Sequence, residues 1–333
     1  MADDITQANV GNTAKYVDPN AQDYVSYFDH LKAFNDRIQR KVSGELGILL
    51  KDVPTVAVAT TGSDARLEKG PVSLIELMLF FREPSKVQEV HPIVRDYAFK
   101  SSDAAFFEGV ETKNVETDLM HQCDLYAKSG DRVKLISPNR IFDAGFLAGD
   151  EEVLRSGKRK LISELVSEDF RSVVDKMRDK VKEHRKVTLT GKQRYKGQDL
   201  MHYDIDAGIA TYDPSNNQHS FKQGPLRAVQ FALVSEIIRG LRSGYLSPNA
   251  VVDLPSNTVS KLHDLEVGGL SSLSTESARD LADSYKFFLH KYHQSQSAYS
   301  HKGLKEIGFD SAEVRERCKL IDKITSSPIV RTS

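Results

Sequence analysis

ATTGSDARLEKGPVSLIELMLFF, residues 59 to 81, is the stretch whose reading decides the fold. It completes a short β-prone run, Thr55 to Thr60, and closes on a second apolar run, Leu74 to Phe81. Between the two lie a Gly62-Ser63 turn and a polar segment, so the expected order is strand, tight turn with one short helix, strand. The second run carries a single acid, Glu76, which a pure core strand does not need. A Gly-Ser turn at the end of a buried strand places backbone N–H groups and a hydroxyl where an anion can sit. Carboxylates two residues apart on a strand share a face and can hold a metal pair for in-line displacement at phosphorus. Here those positions are 74 and 76, and only the second is acidic. For local structure alone, Glu76 is an edge or salt-bridged residue and Gly62-Ser63 an ordinary turn.

Outward from this stretch, the chain has 333 residues, 39% hydrophobic and 28% charged, which is the composition of a globular protein with room for two domains. Its 46 basic and 47 acidic residues leave a formal charge of −1, so no global field argues for a nucleic-acid or membrane-surface partner, and any polyanion site must be local. Cys123 and Cys318 offer neither a disulfide framework nor a zinc spacing. Without an apolar signal segment or a long apolar span, a cytoplasmic protein is expected.

Residues 1–20 read as a flexible leader and 21–150 as a domain mixing strands and helices. In that domain Gln22 to Leu46 has helical spacing, His91 to Phe99 looks helical, and Ala104 to Met120 holds further β-prone pieces. From 151 to 330 the spacing becomes helical over Leu161 to Val187, Leu226 to Leu241, Thr275 to Tyr292 and Ala312 to Ile324, which predicts a helical bundle. Gly191 to Gln223 reads as a long polar connection.

Gly62, Ser63, Arg66, Glu68, Ser73 and Glu76, in the setting strand, turn, strand, resemble the fingerprint of the nucleotidyltransferase superfamily that includes DNA polymerase β. The likeness is closest to the N-terminal domain of protein-PII uridylyltransferase and its relatives. Their pattern runs Gly-Gly/Ser-x-x-Arg-x-Glu, four residues, then Ser-Asp-x-Asp. Ser137 to Asp150 is similar to the segment where that family passes from catalytic domain to helices, and Ser220 to Gln230 to its Lys-x-Gly-Gly-Leu-Arg-Asp-Ile stretch. The resemblance implies an α+β fold, with a nucleotidyltransferase-type mixed sheet and flanking helices followed by an α-helical bundle domain. It implies transfer of a nucleoside monophosphate from an NTP to a protein or small-molecule acceptor, with Mg²⁺ or Mn²⁺.

In that scheme Gly62 and Ser63 hold nucleotide phosphates, Arg66 neutralises phosphate charge and Glu68 braces Arg66 or the turn. Glu76 is a metal ligand together with a later carboxylate, for which Glu111, Glu116 and Asp118 all stand in the right segment. Lys222 and Arg227 add phosphate contacts from the second domain, or else they cap and solvate their helix. The sequence departs from the family where Leu74 stands at the first aspartate position, since a leucine cannot ligate a metal. A degenerate relative that binds nucleotide or a partner protein without turnover is therefore the alternative. His290 and His293, three apart on a helix, lack a carboxylate to complete a metal set and read as helix surface or packing. His121 with Cys123 lacks an acid relay for a thiol nucleophile. The basic run Lys176 to Lys192 reads as a solvated helix face.

Overall fold

The computed structural model describes residues 16–73, 75–100, 107–114, 142–166, 171–267 and 273–326. Leu74, Glu116, Asp118, His121 and Cys123 lie outside the described residues. The class is α+β.

Helix α1 (Tyr24–Leu49) opens on Asp23, whose carboxylate accepts from the N–H groups of Val25 and Ser26, leaving two fewer orphan donors at the helix start. Strands β1 (Val56–Thr60), β2 (Ile75–Phe81), β3 (Phe107–Asn114) and β4 (Gly145–Gly149) form a mixed sheet in the order β3-β2-β1-β4. β1 runs antiparallel to β2 and β4, while β2 and β3 are parallel. The parallel pair needs a crossover, which α3 (Pro84–Lys100) supplies. The one-turn helix α2 (Gly62–Ala65) lies between β1 and β2.

Period-two alternation gives the sheet two different buried faces. Val56, Val58, Ile75, Leu77, Leu79 and Phe81 pack on the C-terminal half of α1 and on α3. Ala57, Ala59, Met78 and Phe80 join a second core with the helical half of the chain. Glu76 has the parity of Met78 and Phe80, so it points toward the helices.

The helical half comprises α4 (Glu151–Leu165), α5 (Arg171–Thr190), α6 (Pro225–Arg242), α7 (Pro248–Val252), α8 (Thr258–Val267), α9 (Thr275–Lys302) and α10 (Ser311–Thr325). The helix expected over Leu161 to Val187 is two helices. The second half is not the helical bundle alone that the spacing predicts, because Gly191 to Gln223, expected as a polar connection, folds into short strands. It contains the hairpin β5 (Lys192–Tyr195) and β6 (Gln198–Met201), then β7 (Tyr203–Asp204), β8 (Ile209–Asp213) and β9 (Gln218–His219); β8 also pairs with β10 (Glu306–Gly308). These strands are short and half-polar, so they carry no apolar run for periodicity to detect.

Of the leader expected over residues 1–20, residues 16–20 are held on α9. The Pro19 carbonyl accepts from His290 Nε2 at 2.5 Å and from Gln294 at 3.3 Å. His290 and His293 are packing residues, 5% and 1% exposed. In the basic run, Met177, Val181, His184 and Val187 form the buried stripe of α5 while the charges pair along its outer side. No helix among the described residues is long and apolar enough to cross a membrane.

Candidate functional site

β1 ends at Thr60, and the chain reverses through Gly62 at φ +64°, a left-handed conformation that glycine adopts without strain. A Cβ at Gly62 would sit 3.5 Å from Glu76 Oε2, so the bare glycine also lets the carboxylate approach the turn. The turn is tied to β2 twice: Thr61 N–H donates to the Glu76 carbonyl and Thr61 Oγ1 to Glu76 Oε2, both at 3.1 Å. α2 is a single turn, closed when the Glu68 N–H reaches the Ser63 carbonyl at 2.7 Å.

Arg66 and Glu68 do not form a surface pair. Glu68 is 1% exposed and accepts from Arg66 Nε at 2.8 Å, Tyr285 OH of α9 at 2.7 Å and the Thr258 N–H of α8 at 3.4 Å. The other end of the Arg66 guanidinium donates to Asp143 Oδ2 at 2.8 Å, and Lys261 Nζ of α8 donates to Asp143 Oδ1 at 2.8 Å. Asn257 caps the arrangement by donating to the Arg66 carbonyl at 2.6 Å. Burial works against the Asp143 charge, but Lys261 and Arg66 outweigh it and hold the carboxyl below its ordinary range. Lys158 lies close by, donating to the Phe142 carbonyl at 3.4 Å, and burial followed by the Lys261 charge lowers its pKa to about 8. Glu68 thus positions Arg66 and ties the sheet to the helical half; it does not line the space where a ligand would lie.

That space is a cavity of about 210 Å³ lined by Gly62, Ser63, Arg66 and Glu76 from the sheet side, with Asp143, Thr258 and Lys261 behind them. The opposite wall is Lys222 and one stripe of α6: Arg227, Gln230, Phe231 and Val234 at helical spacing, with Leu233. The wall is therefore charged at the first turn of α6 and apolar further along. Gln230 is fixed by donating to Tyr285 OH at 2.7 Å. Arg227 is half-buried and makes no hydrogen bond or ion pair among the described residues. Lys222 Nζ stands 5.8 Å from the ring centre of Tyr292. Gly62, Ser63, Arg66, Glu76, Lys222 and Arg227, which lie up to 165 positions apart in sequence, meet in this one cleft.

Three of its features have only a faint sequence signal. Asp143 is a single acid inside the apolar run Phe142 to Ala148, the same mark that singles out Glu76, but Lys261 and Tyr285 look like ordinary polar positions of amphipathic helices. Asp64, in the turn itself, is 1% exposed, and among the described residues its carboxylate oxygens make no hydrogen bond of ordinary geometry, with Gln39 and Thr60 beside them. Burial, opposed by Lys69 and reinforced by Glu76, pushes its pKa up to about 7.

The metal pair that the resemblance implies does not fit the described donor set. Mg²⁺ requires oxygen ligands in octahedral geometry. Both oxygens of Asp143 are taken by cations, Glu68 lies outside the cavity, and Glu76 is left as the lining carboxylate not engaged by Arg66 or Lys261. No group of three or more His, Cys, Asp or Glu among the described residues is placed to hold a metal ion. Of the later carboxylates, Glu111 lies in β3 opposite Met78 in the register, and Glu116 and Asp118 lie outside the described residues. Cys318 is buried in α10, and burial pushes its thiol up to about 12, far from a nucleophilic thiolate. No family model matches the chain, and no curated protein matches it.

Proposed function

We propose that this cleft is the phosphate site of a nucleotidyltransferase-like protein and that the chain binds a nucleoside triphosphate there. The observation that carries the reading is the convergence of the Gly62-Ser63 turn with Lys222 and Arg227 on one cavity. An unpaired guanidinium held half out of water is costly unless an anion joins it, and its planar fork matches phosphate oxygens two at a time. At about 210 Å³ the cavity lies below the range of about 300–1,000 Å³ typical of whole-ligand pockets, so it suits the phosphate end of a nucleotide. Calorimetric titration with ATP, UTP, CTP and GTP tests this. Saturable binding of at least one, weakened about tenfold in Ser63→Ala with Arg227→Gln, is expected. Absence of binding by all four refutes it.

A second reading is transfer of the nucleoside monophosphate to a hydroxyl of a protein or small molecule in the cytoplasm. The half-buried carboxylate of Glu76 beside the turn favours it, as a base for the acceptor proton. The acceptor oxygen would bond to the α-phosphorus as the bond to pyrophosphate breaks and the proton passes to Glu76. Labelled-nucleotide transfer, abolished in Glu76→Gln while nucleotide still binds, distinguishes it from binding without turnover.

A further inference from the structure

We infer that the cleft receives the triphosphate chain free of divalent metal, with Arg227 and Lys222 supplying the positive charge that metal ions supply in metal-dependent sites. The inference rests on the proposed nucleotide site and specifies its ligand. The cavity lining carries four cations, Arg66, Lys222, Arg227 and Lys261, against Glu76 and Asp143, with Glu68 ion-paired to Arg66 beside them and Asp64 buried in the turn. Two of those carboxylates are already committed to the cations, so a divalent ion would have to displace a guanidinium or an ammonium to reach them.

Arg227 has no carboxylate partner of this kind among the described residues. The acid nearest to it in effect, Glu183, is held by Lys180 at 2.5 Å and by Gln193 at 3.0 Å. Burial and then Arg66 both disfavour the Arg227 charge, yet no carboxylate offsets them by an ion pair. Its neighbours His184, His202 and His219 are held neutral, first by burial and then by Arg227 or Lys222. The histidines thus leave the positive field at this wall to Arg227 and Lys222, and the Arg227 charge has no carboxylate ion-paired to it among the described residues. Such a site recognises an unmetallated polyphosphate, whose charge exceeds that of its magnesium complex.

The test is calorimetry on the full chain with ATP and with inorganic tripolyphosphate, each in EDTA and in excess Mg²⁺. The expected result is that both ligands bind in EDTA at least as tightly as in Mg²⁺. Arg227→Gln then lowers affinity in EDTA by about tenfold or more, and Lys222→Gln does so to a lesser degree. Arg227→Gln also leaves the urea midpoint of the unliganded protein unchanged or raised, because an uncompensated charge has been removed. This separates ligand recognition from a structural role, for which affinity and stability would fall together. Affinity that rises tenfold or more with Mg²⁺, or Arg227→Gln binding like the parent, overturns the inference while leaving the nucleotide site standing. If neither ATP nor tripolyphosphate binds in either condition, the site assignment itself fails.

Discussion

Lowering the pH from 7 to 5 perturbs this fold at histidines that burial keeps neutral. His184 stacks on Phe231 with ring centres 5.2 Å apart, and its Nδ1 meets the Gln223 carbonyl at 2.5 Å. The Nδ1 of His202 accepts the His219 N–H at 3.1 Å, which requires a lone pair there, and His293 Nδ1 shares a hydrogen bond of 2.7 Å with Tyr27 OH. Burial is the main cause of their lowered pKa values, about 3 for His184 and His293 and about 4 for His202, with Arg227 adding to the first and third and His290 to the second. The unfolded chain therefore takes up protons below about 6.5 that the folded chain refuses. The stabilisation is complete above that pH and is lost as pH falls. Each of these histidines costs about 2 kcal/mol between pH 7 and 5, and His219, whose pKa burial and then Lys222 lower to about 3, costs about 2 more, about 8 together. Asp64 acts in the opposite sense: its raised pKa means the folded state keeps a proton between about 4 and 7, and it returns about 2 kcal/mol on acidification. The net loss is about 6 kcal/mol, a large part of the roughly 5–15 kcal/mol that holds a typical domain together. Urea unfolding at the two pH values measures it, and in Asp64→Asn the loss should grow to about 8 kcal/mol. A stability equal at pH 5 and pH 7, or an unchanged difference in Asp64→Asn, refutes the reasoning.

Two further outcomes follow from the packing. Glu68→Gln keeps the shape of the side chain but leaves the Arg66 charge half-compensated in a buried position; it should lower stability by about 3 kcal/mol in urea titration. Gly191→Ala puts a methyl group against the Tyr203 carbonyl at φ +65°, where backbone cannot yield, and should cost about 3 kcal/mol or more, read as a drop in the thermal midpoint.

Two strands of the sheet were legible in the sequence because they are apolar on both faces: the runs ending at Thr60 and Phe81 are β1 and β2 almost to the residue, while the polar β3 carries no such run and β4 is five residues long with a glycine at each end. The long amphipathic helices were legible for the same reason, through their spacing. What periodicity could not show was the small β-structure between Lys192 and His219, whose strands are two to five residues long and are held by backbone pairing and by the tilted contact of Tyr203 with Phe221, ring centres 4.8 Å apart. In the candidate site the turn residues carry a recognisable spacing. The pairing of Arg66 with Glu68 was anticipated as a brace, but its burial and its extension to Tyr285 and Asp143 depend on long-range contacts. No local pattern distinguishes a Lys261 that meets Asp143 from one that faces water.

The Glu68 carboxylate has a consequence for how the chain is made. Its partner Tyr285 lies 217 positions later. At about 5–20 residues per second on a ribosome, roughly 10 to 40 seconds pass between the emergence of the two. For that interval the strand and turn segment holds a carboxylate and a guanidinium that lack their enclosing helix, with the apolar Met78 and Phe80 face bare beside them. The brace that holds Arg66 is therefore completed only once α9 has been made, long after the turn it steadies.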